Sequence, residues 1–195
     1  MADFAPPAGF VDTPHPPVAG PDRLVSRTEE ILIDRPFAHV LAAVDATPLS
    51  DSIAKGTALP GVLGTHVLAG GVFDQPGSRH MIFLDDGTTA VEQILEKTRT
   101  DQQYRFRYVV WNYTTAAAKP LLYGLGEFDY APVGPDKTWV RWTYSFELRK
   151  NQFPGFLGVR LGGALLKAAF LNGPYAKWMQ ATLALTKRNA EAYSG

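Results

Sequence analysis

The sequence predicts an α+β domain in which a curved, seven-stranded antiparallel sheet wraps around a long C-terminal helix, with two short helices after the first strand. Three observations predict it. From about Leu24 onward, apolar and polar residues alternate through successive strand-length runs. Those runs are separated by turn signatures such as Asp74-Gln75-Pro76-Gly77 and Asp85-Asp86-Gly87, which suit antiparallel connections. The chain then finishes in a long helical stretch with few charges, so the sheet has one large apolar partner to enclose.

Each element follows in order. Residues 1–22 contain Pro6, Pro7, Pro14, Pro16, Pro17 and Pro21, a density of missing backbone donors that excludes helix and sheet interior and predicts a flexible tail. Residues 23–195 then form one domain. Residues 27–35 (RTEEILIDR) form the first strand, and Pro36 ends it. Phe37, Val40, Leu41 and Val44 recur at helical spacing, and Pro48 and Gly56 confine the next helical piece to the stretch through Ile53. Pro60, Gly61 and Gly64 lead into a strand near residues 65–73. Further strands span 79–84, 89–98, 104–114, 121–130 and 138–149, the last two joined through Gly134-Pro135-Asp136-Lys137. The final helical segment runs from near Phe156 past Leu185, and Gly173-Pro174 predicts a kink in it.

Composition narrows the function. The 195 residues suffice to bury roughly 70% of the unfolded surface in one core. Lys plus Arg and Asp plus Glu are 19 each, so no global field favours nucleic acid. With no cysteine, disulfides, zinc-thiolate sites and thiol nucleophiles are excluded. His15, His39, His66 and His80 lie on separate elements without metal-ligand spacing, so no metal is expected. Neither a phosphate-cradling glycine loop nor a nucleophile elbow is present, so no cofactor is expected. The N-terminus lacks the basic and apolar regions of a secretory signal, and a cytoplasmic protein is the expectation.

The faces of the strands carry the site. A period of two puts Tyr104, Phe106, Tyr108, Val110 and Asn112 on one face of residues 104–114, with Arg105 and Arg107 outward. It puts Val140, Trp142, Tyr144, Phe146 and Leu148 inward on residues 138–149. Phe128 and Tyr130 share the inner face with Gly124 and Gly126, which leave room instead of filling it. Such a face lines a cavity, and the expected lining is Tyr108, Val110, Asn112, Phe128, Trp142 and Tyr144, with Trp178 and Met179 from the helix. Burying phenols and an amide without partners costs roughly 1–3 kcal/mol each, so they imply mutual hydrogen bonds, water or a polar ligand group. Asn112 has an equal alternative as a strand-end residue turning to solvent. On the helix, Leu157, Leu161 and Leu165 fall on one side, whereas Val159, Leu166 and Phe170 fall on another. The second set is expected opposite the sheet, covered by the tail, a homodimer partner or transient membrane contact.

The segments EEILIDRPFAHVLAAV, TTAVEQILEKTRTDQQYRFRYVV and GLGEFDYAPVGPDKTWVRWTYSFEL, in this element order, resemble the helix-grip fold of the Bet v 1 and START-like (SRPBCC) superfamily, particularly its polyketide cyclase/dehydrase-like members. The resemblance covers about residues 24–193 and rests on patterns, not on fixed catalytic motifs. It implies an apolar cavity between sheet and helix. It further implies that an acidic residue on the fourth strand, Glu92, reaches that cavity, although the alternation there leaves its face open. The first expectation is therefore binding or transport of a small hydrophobic molecule such as a lipid, polyketide or aromatic compound. The alternative is a cyclase or dehydratase-like enzyme using Glu92, His80 or a tyrosine, and a purely structural role ranks third.

Overall fold

The computed structural model describes residues 4–56 and 59–195. Seven strands form one antiparallel sheet in the order β1-β7-β6-β5-β4-β3-β2. These are β1 (Val25–Ile33), β2 (Val62–Ala69), β3 (Arg79–Leu84), β4 (Thr89–Arg99), β5 (Tyr104–Trp111), β6 (Leu121–Pro132) and β7 (Thr138–Leu148). Two helices, α1 (Phe37–Ala46) and α2 (Leu49–Ser52), separate β1 from β2. The C-terminal helix comprises α3 (Gly158–Leu166), a π-helical stretch Lys167–Tyr175 and α4 (Ala176–Ala192). Gly87 and Gly134, at φ 80° and 71°, take the left-handed turn positions that L side chains resist. Where a kink is expected at Gly173-Pro174, the helix instead widens, and Pro174 lies inside the π-helical stretch. The wider turn accommodates a residue that has no N–H to give to an α-helical ladder.

The concave face of the sheet and α4 share the main core. Val140, Trp142, Tyr144 and Phe146 from β7 meet Leu171, Tyr175, Met179 and Leu183 of the helix, all buried. Trp178 Nε1 donates to the Ala54 carbonyl at 2.8 Å, and Lys187 Nζ donates to the Leu32 carbonyl at 2.9 Å, tying the helix to both ends of the grip.

The convex face has an ionic and an apolar part. Arg105 and Arg107 each reach Glu127 at 2.9 Å, and Arg141 reaches Asp129 at 3.3 Å, as their outward phase predicts. Beside them, Val91, Val109, Trp111, Tyr123 and Leu125 form a second buried cluster. The N-terminal segment covers it. Its described residues, from Phe4, have no helix or strand before Pro21, in keeping with the prolines, yet they pack on the sheet where a loose tail is expected. Phe4 stacks on Phe83 with centroids 5.0 Å apart, Arg79 pairs with Asp12 at 2.7 Å, and the Ala19 N–H donates to the Tyr123 hydroxyl at 2.7 Å. The physical reason is the apolar outward row of β4, β5 and β6, which needs a cover in water.

Candidate functional site

Between the concave sheet face and the C-terminal helix lies a cavity of about 680 Å³. Ligand pockets typically span roughly 300–1,000 Å³, so this one suits a molecule of drug-like size. Its walls are mostly apolar: Ile82 and Ala90 from β3 and β4, Phe106 and Val110 from β5, Phe128 from β6, and Leu166 and Phe170 from the helix. Val44, Ile53 and Leu59 close the end near α1 and α2.

Five of the expected lining residues do line it: Tyr108, Val110, Phe128, Tyr144 and Trp178. Three do not. Trp142 is fully buried behind the wall, stacked on Phe128 at 4.8 Å and against Trp178 at 5.2 Å, so it belongs to the core beneath the helix. Met179 is likewise fully buried in the core. Asn112 is exposed just past the end of β5, with φ 56°, a left-handed conformation that asparagine tolerates and that turns the chain out of the sheet plane. The solvent alternative for Asn112 is therefore the observed one.

Glu92 faces the cavity with Ala90 and Ile94, and a β-bulge just beyond them reverses the phase of the strand. The β4–β5 register shifts between Ile94 and Glu96, so Ala90, Glu92, Ile94 and Lys97 point inward while Glu96 reaches Arg107 on the outer face at 3.5 Å. His80 sits opposite Glu92 in the β3–β4 register and also lines the cavity. Its Nε2 lies 3.8 Å from Glu92 Oε1, beyond hydrogen-bond reach, and both side chains are buried. Phe73 stacks on the imidazole, with centroids 3.6 Å apart. The two acid–base candidates of the sequence thus form one buried pair.

Sequence reasoning missed the tyrosine cluster around that pair. Tyr113 and Tyr175 join Tyr108 and Tyr144 in the wall. Tyr144 lies edge-on to both Tyr108 and Tyr175, with centroids 6.1 Å and 5.4 Å away. Gly124 and Gly126 make this arrangement possible. A Cβ on Gly126 would lie 2.1 Å from Tyr108 Cζ, and one on Gly124 would lie 2.7 Å and 2.8 Å from the Tyr113 and Tyr144 hydroxyls. The glycines do leave room, and tyrosine rings take it. Burial pushes the phenols of Tyr108, Tyr113, Tyr144 and Tyr175 above the ordinary tyrosine value, and the nearby Glu92 carboxylate adds to the rise at Tyr108 and Tyr113. At neutral pH these four groups are therefore neutral hydrogen-bond donors and acceptors, not bases. Two buried polar atoms of the wall, Tyr113 Oη and His80 Nε2, have no hydrogen-bond partner among the described residues. Among those residues no cluster of three or more metal-ligating side chains occurs.

Val159, Leu166 and Phe170 do not form one outward stripe. Leu166 and Phe170 line the cavity, and only Val159 is exposed. The reason is the rotation of α3. Gly162 and Gly163 are its buried residues, and Cβ atoms on them would lie 2.4 Å from the Pro154 carbonyl oxygen and 3.0 Å from Val25 Cγ2. The helix lies on its glycine face, and Leu157, Leu161 and Leu165 turn outward.

A sheet that grips a long helix over a roofed cavity defines the class of this protein: a helix-grip domain. The comparisons agree. No family model matches the chain, and no curated protein matches it in sequence. Among solved structures, Ara h 8.0201 superposes with a TM-score of 0.61 at 11% identity, over 87% of this chain and 99% of that one. The ZhuI aromatase/cyclase from Streptomyces sp. R1128 gives 0.59 at 13% identity, over 86% and 94%. The di-domain aromatase/cyclase BexL of the BE-7585A biosynthetic pathway gives 0.53 at 21% identity, covering 89% of this chain and 52% of that one. The chain shares the helix-grip fold of these structures.

Proposed function

We propose that the protein binds a small, flat and mostly hydrophobic molecule carrying one or more oxygen functions, held in the cavity between sheet and helix. The observation that carries this reading is an apolar chamber of about 680 Å³ in which two wall atoms, Tyr113 Oη and His80 Nε2, lack hydrogen-bond partners among the described residues. An unmade hydrogen bond of this kind costs roughly 1–3 kcal/mol, which a ligand hydroxyl or carbonyl would recover on binding. The aromatic wall supports a flat ligand, because ring faces stack or meet edge to face at the distances already seen among Tyr108, Phe128 and Tyr144. The names of the similar structures accord with this reading, since two of the three are aromatase/cyclases.

The His80–Glu92 pair favours a second reading, acid–base chemistry on the bound molecule. A carboxylate and an imidazole facing one cavity from adjacent strands can hold and pass a proton at a ligand carbonyl, while the neutral tyrosines supply hydrogen bonds to the oxygen. This is the cyclase-like alternative.

One experiment separates the two. The protein is titrated with a panel of hydroxylated polycyclic aromatics and long-chain fatty acids, following tryptophan fluorescence, to which Trp178 in the wall contributes, and the melting temperature. Hydroxylated aromatics are expected to quench and to stabilise, by about 2.7 kcal/mol at a hundredfold excess over Kd. Glu92→Gln and His80→Gln are then compared for affinity and for conversion of the bound compound. Lost conversion with retained binding establishes the enzyme, and lost affinity without any conversion establishes the carrier. A panel that neither quenches nor stabilises overturns the binding reading.

A further inference from the structure

We propose that the face made by helix α3 and the loop before it docks on the surface of a lipid bilayer bearing anionic head groups. This surface is separate from the cavity, and its test does not depend on what the cavity holds.

The first observation is apolar exposure where a helix ordinarily hides it. Phe153 and Phe156 are each 61% exposed, Leu161 is 55% exposed, and Leu157, Val159 and Leu165 are exposed too. The two phenylalanine rings lie side by side, with centroids 5.9 Å apart. They are not stray residues on a mobile end, because α3 is locked by its glycine face. Gly162 sits under the Pro154 carbonyl and Gly163 against Val25, so no rotation of the helix can bury the leucines without separating these contacts. The small residues fix which side is in, and the large ones are thereby presented outward.

The second observation is charge. Of the 19 cationic residues of the chain, seven fall within residues 148–190, and none of the 19 acidic residues does. Arg149, Lys150, Arg160 and Lys167, which precede, flank and follow the apolar stripe, are all exposed. None of the four makes an ion pair among the described residues, whereas Arg23, Arg27, Arg79, Arg99, Arg105, Arg107 and Arg141 elsewhere all do. Exposed aromatic and leucine side chains ringed by cations that no carboxylate neutralises match a headgroup layer that is anionic outside and apolar a few ångströms below. A second copy of the chain is disfavoured by the same charges, since a two-fold contact through this stripe would set like charges against each other. Among the described residues no helix is long and apolar enough to cross a membrane, so the contact is one of lying on the surface.

The test uses the whole chain and flotation with vesicles of phosphatidylcholine alone or of phosphatidylcholine mixed with phosphatidylglycerol. Binding is expected only to the mixed vesicles and is expected to fade as salt rises. Lys150→Glu with Arg160→Glu should lower the partition coefficient by at least roughly fivefold for each cation removed. Phe156→Glu with Leu161→Glu should abolish flotation while the melting temperature stays near that of the parent, because both positions are already in water. Should the Glu pair impair folding, Phe156→Ser alone carries the same expectation. No flotation with mixed vesicles at low salt overturns the proposal, as does flotation that both variant pairs leave unchanged. A self-association of the parent that Phe156→Glu with Leu161→Glu dissolves, without any vesicle binding, assigns the face to a second copy instead and also overturns it.

Discussion

Replacing Gly126 with alanine should drive Tyr108 into the cavity. A Cβ at Gly126 would stand 2.1 Å from Tyr108 Cζ, 2.4 Å from its hydroxyl oxygen and 2.5 Å from Cε1, where ordinary contact begins at 3.4 Å. The ring must therefore retreat by about 1.3 Å, and the open side is the cavity that Tyr108 lines. Overpacking of this kind costs about 1–3 kcal/mol, against which the lower entropy of unfolded alanine recovers only about 0.4–1 kcal/mol. The clash wins. If the backbone absorbs it, the melting temperature falls by about 2–12 °C for a chain of this size. If the ring absorbs it, the same energy reappears as a roughly 5- to 150-fold weaker apolar ligand. Thermal melts and ligand quenching read the two outcomes side by side. Tyr108→Leu in the Gly126→Ala background should relieve the clash, giving a favourable coupling in the double-mutant cycle of about 0.5–3 kcal/mol. Parent-like stability together with parent-like affinity in Gly126→Ala would refute the reasoning, as would a penalty that Tyr108→Leu leaves unrelieved.

Three further outcomes are expected. Gly162→Ala, whose Cβ would meet the Pro154 carbonyl oxygen at 2.4 Å, should lose about 2–3 kcal/mol in urea melts, while Gly173→Ala, with nothing within 4 Å, should be neutral or gain up to about 1 kcal/mol. Seven of the eight tyrosines have phenols raised above 10.0, chiefly by burial, those of Tyr104 and Tyr123 to about 12. Because the folded state favours the neutral phenol, this contribution to stability is intact below about pH 10 and is lost as pH rises through about 12; the tyrosinate absorbance of these seven should therefore appear together with loss of circular dichroism, and its appearance in a still-folded protein would contradict the burial described. Removing residues 1–19 takes Phe4 and Phe10 off the convex face and should cost about 2–4 kcal/mol and raise binding of a surface dye, whereas a truncated chain of unchanged stability would show that Val91, Val109 and Trp111 need no cover.

Much of the site was legible because a strand has a period of two. In β5 and β7 that period alone separates Tyr108, Val110 and Tyr144 from Arg105, Arg107 and Arg141, and the turn residues between consecutive runs make the pairings from β2 to β7 antiparallel. Tyr113 and Tyr175 carried no such signal. One follows the left-handed turn at Asn112, and the other lies in a π-helical stretch where helical spacing no longer tells which side faces in. Trp142 takes the predicted face at a different depth, since periodicity says that a residue points inward but not whether a helix or open space stands above it.

The order of elements, the antiparallel topology and the aromatic character of the inner face were thus determined by the sequence itself, because each depends on local patterns of a few residues. Three matters were decided only in the folded molecule. The β3–β4 register set Glu92 beside His80 while the bulge between Ile94 and Glu96 turned Lys97 inward and Glu96 outward, the glycine face of α3 turned Leu166 and Phe170 inward and Leu161 outward, and the convex cluster drew the proline-rich segment onto the sheet. Each depends on contacts between residues distant in the chain, where a shift of one residue or a rotation of one helix exchanges core for surface without altering any local pattern.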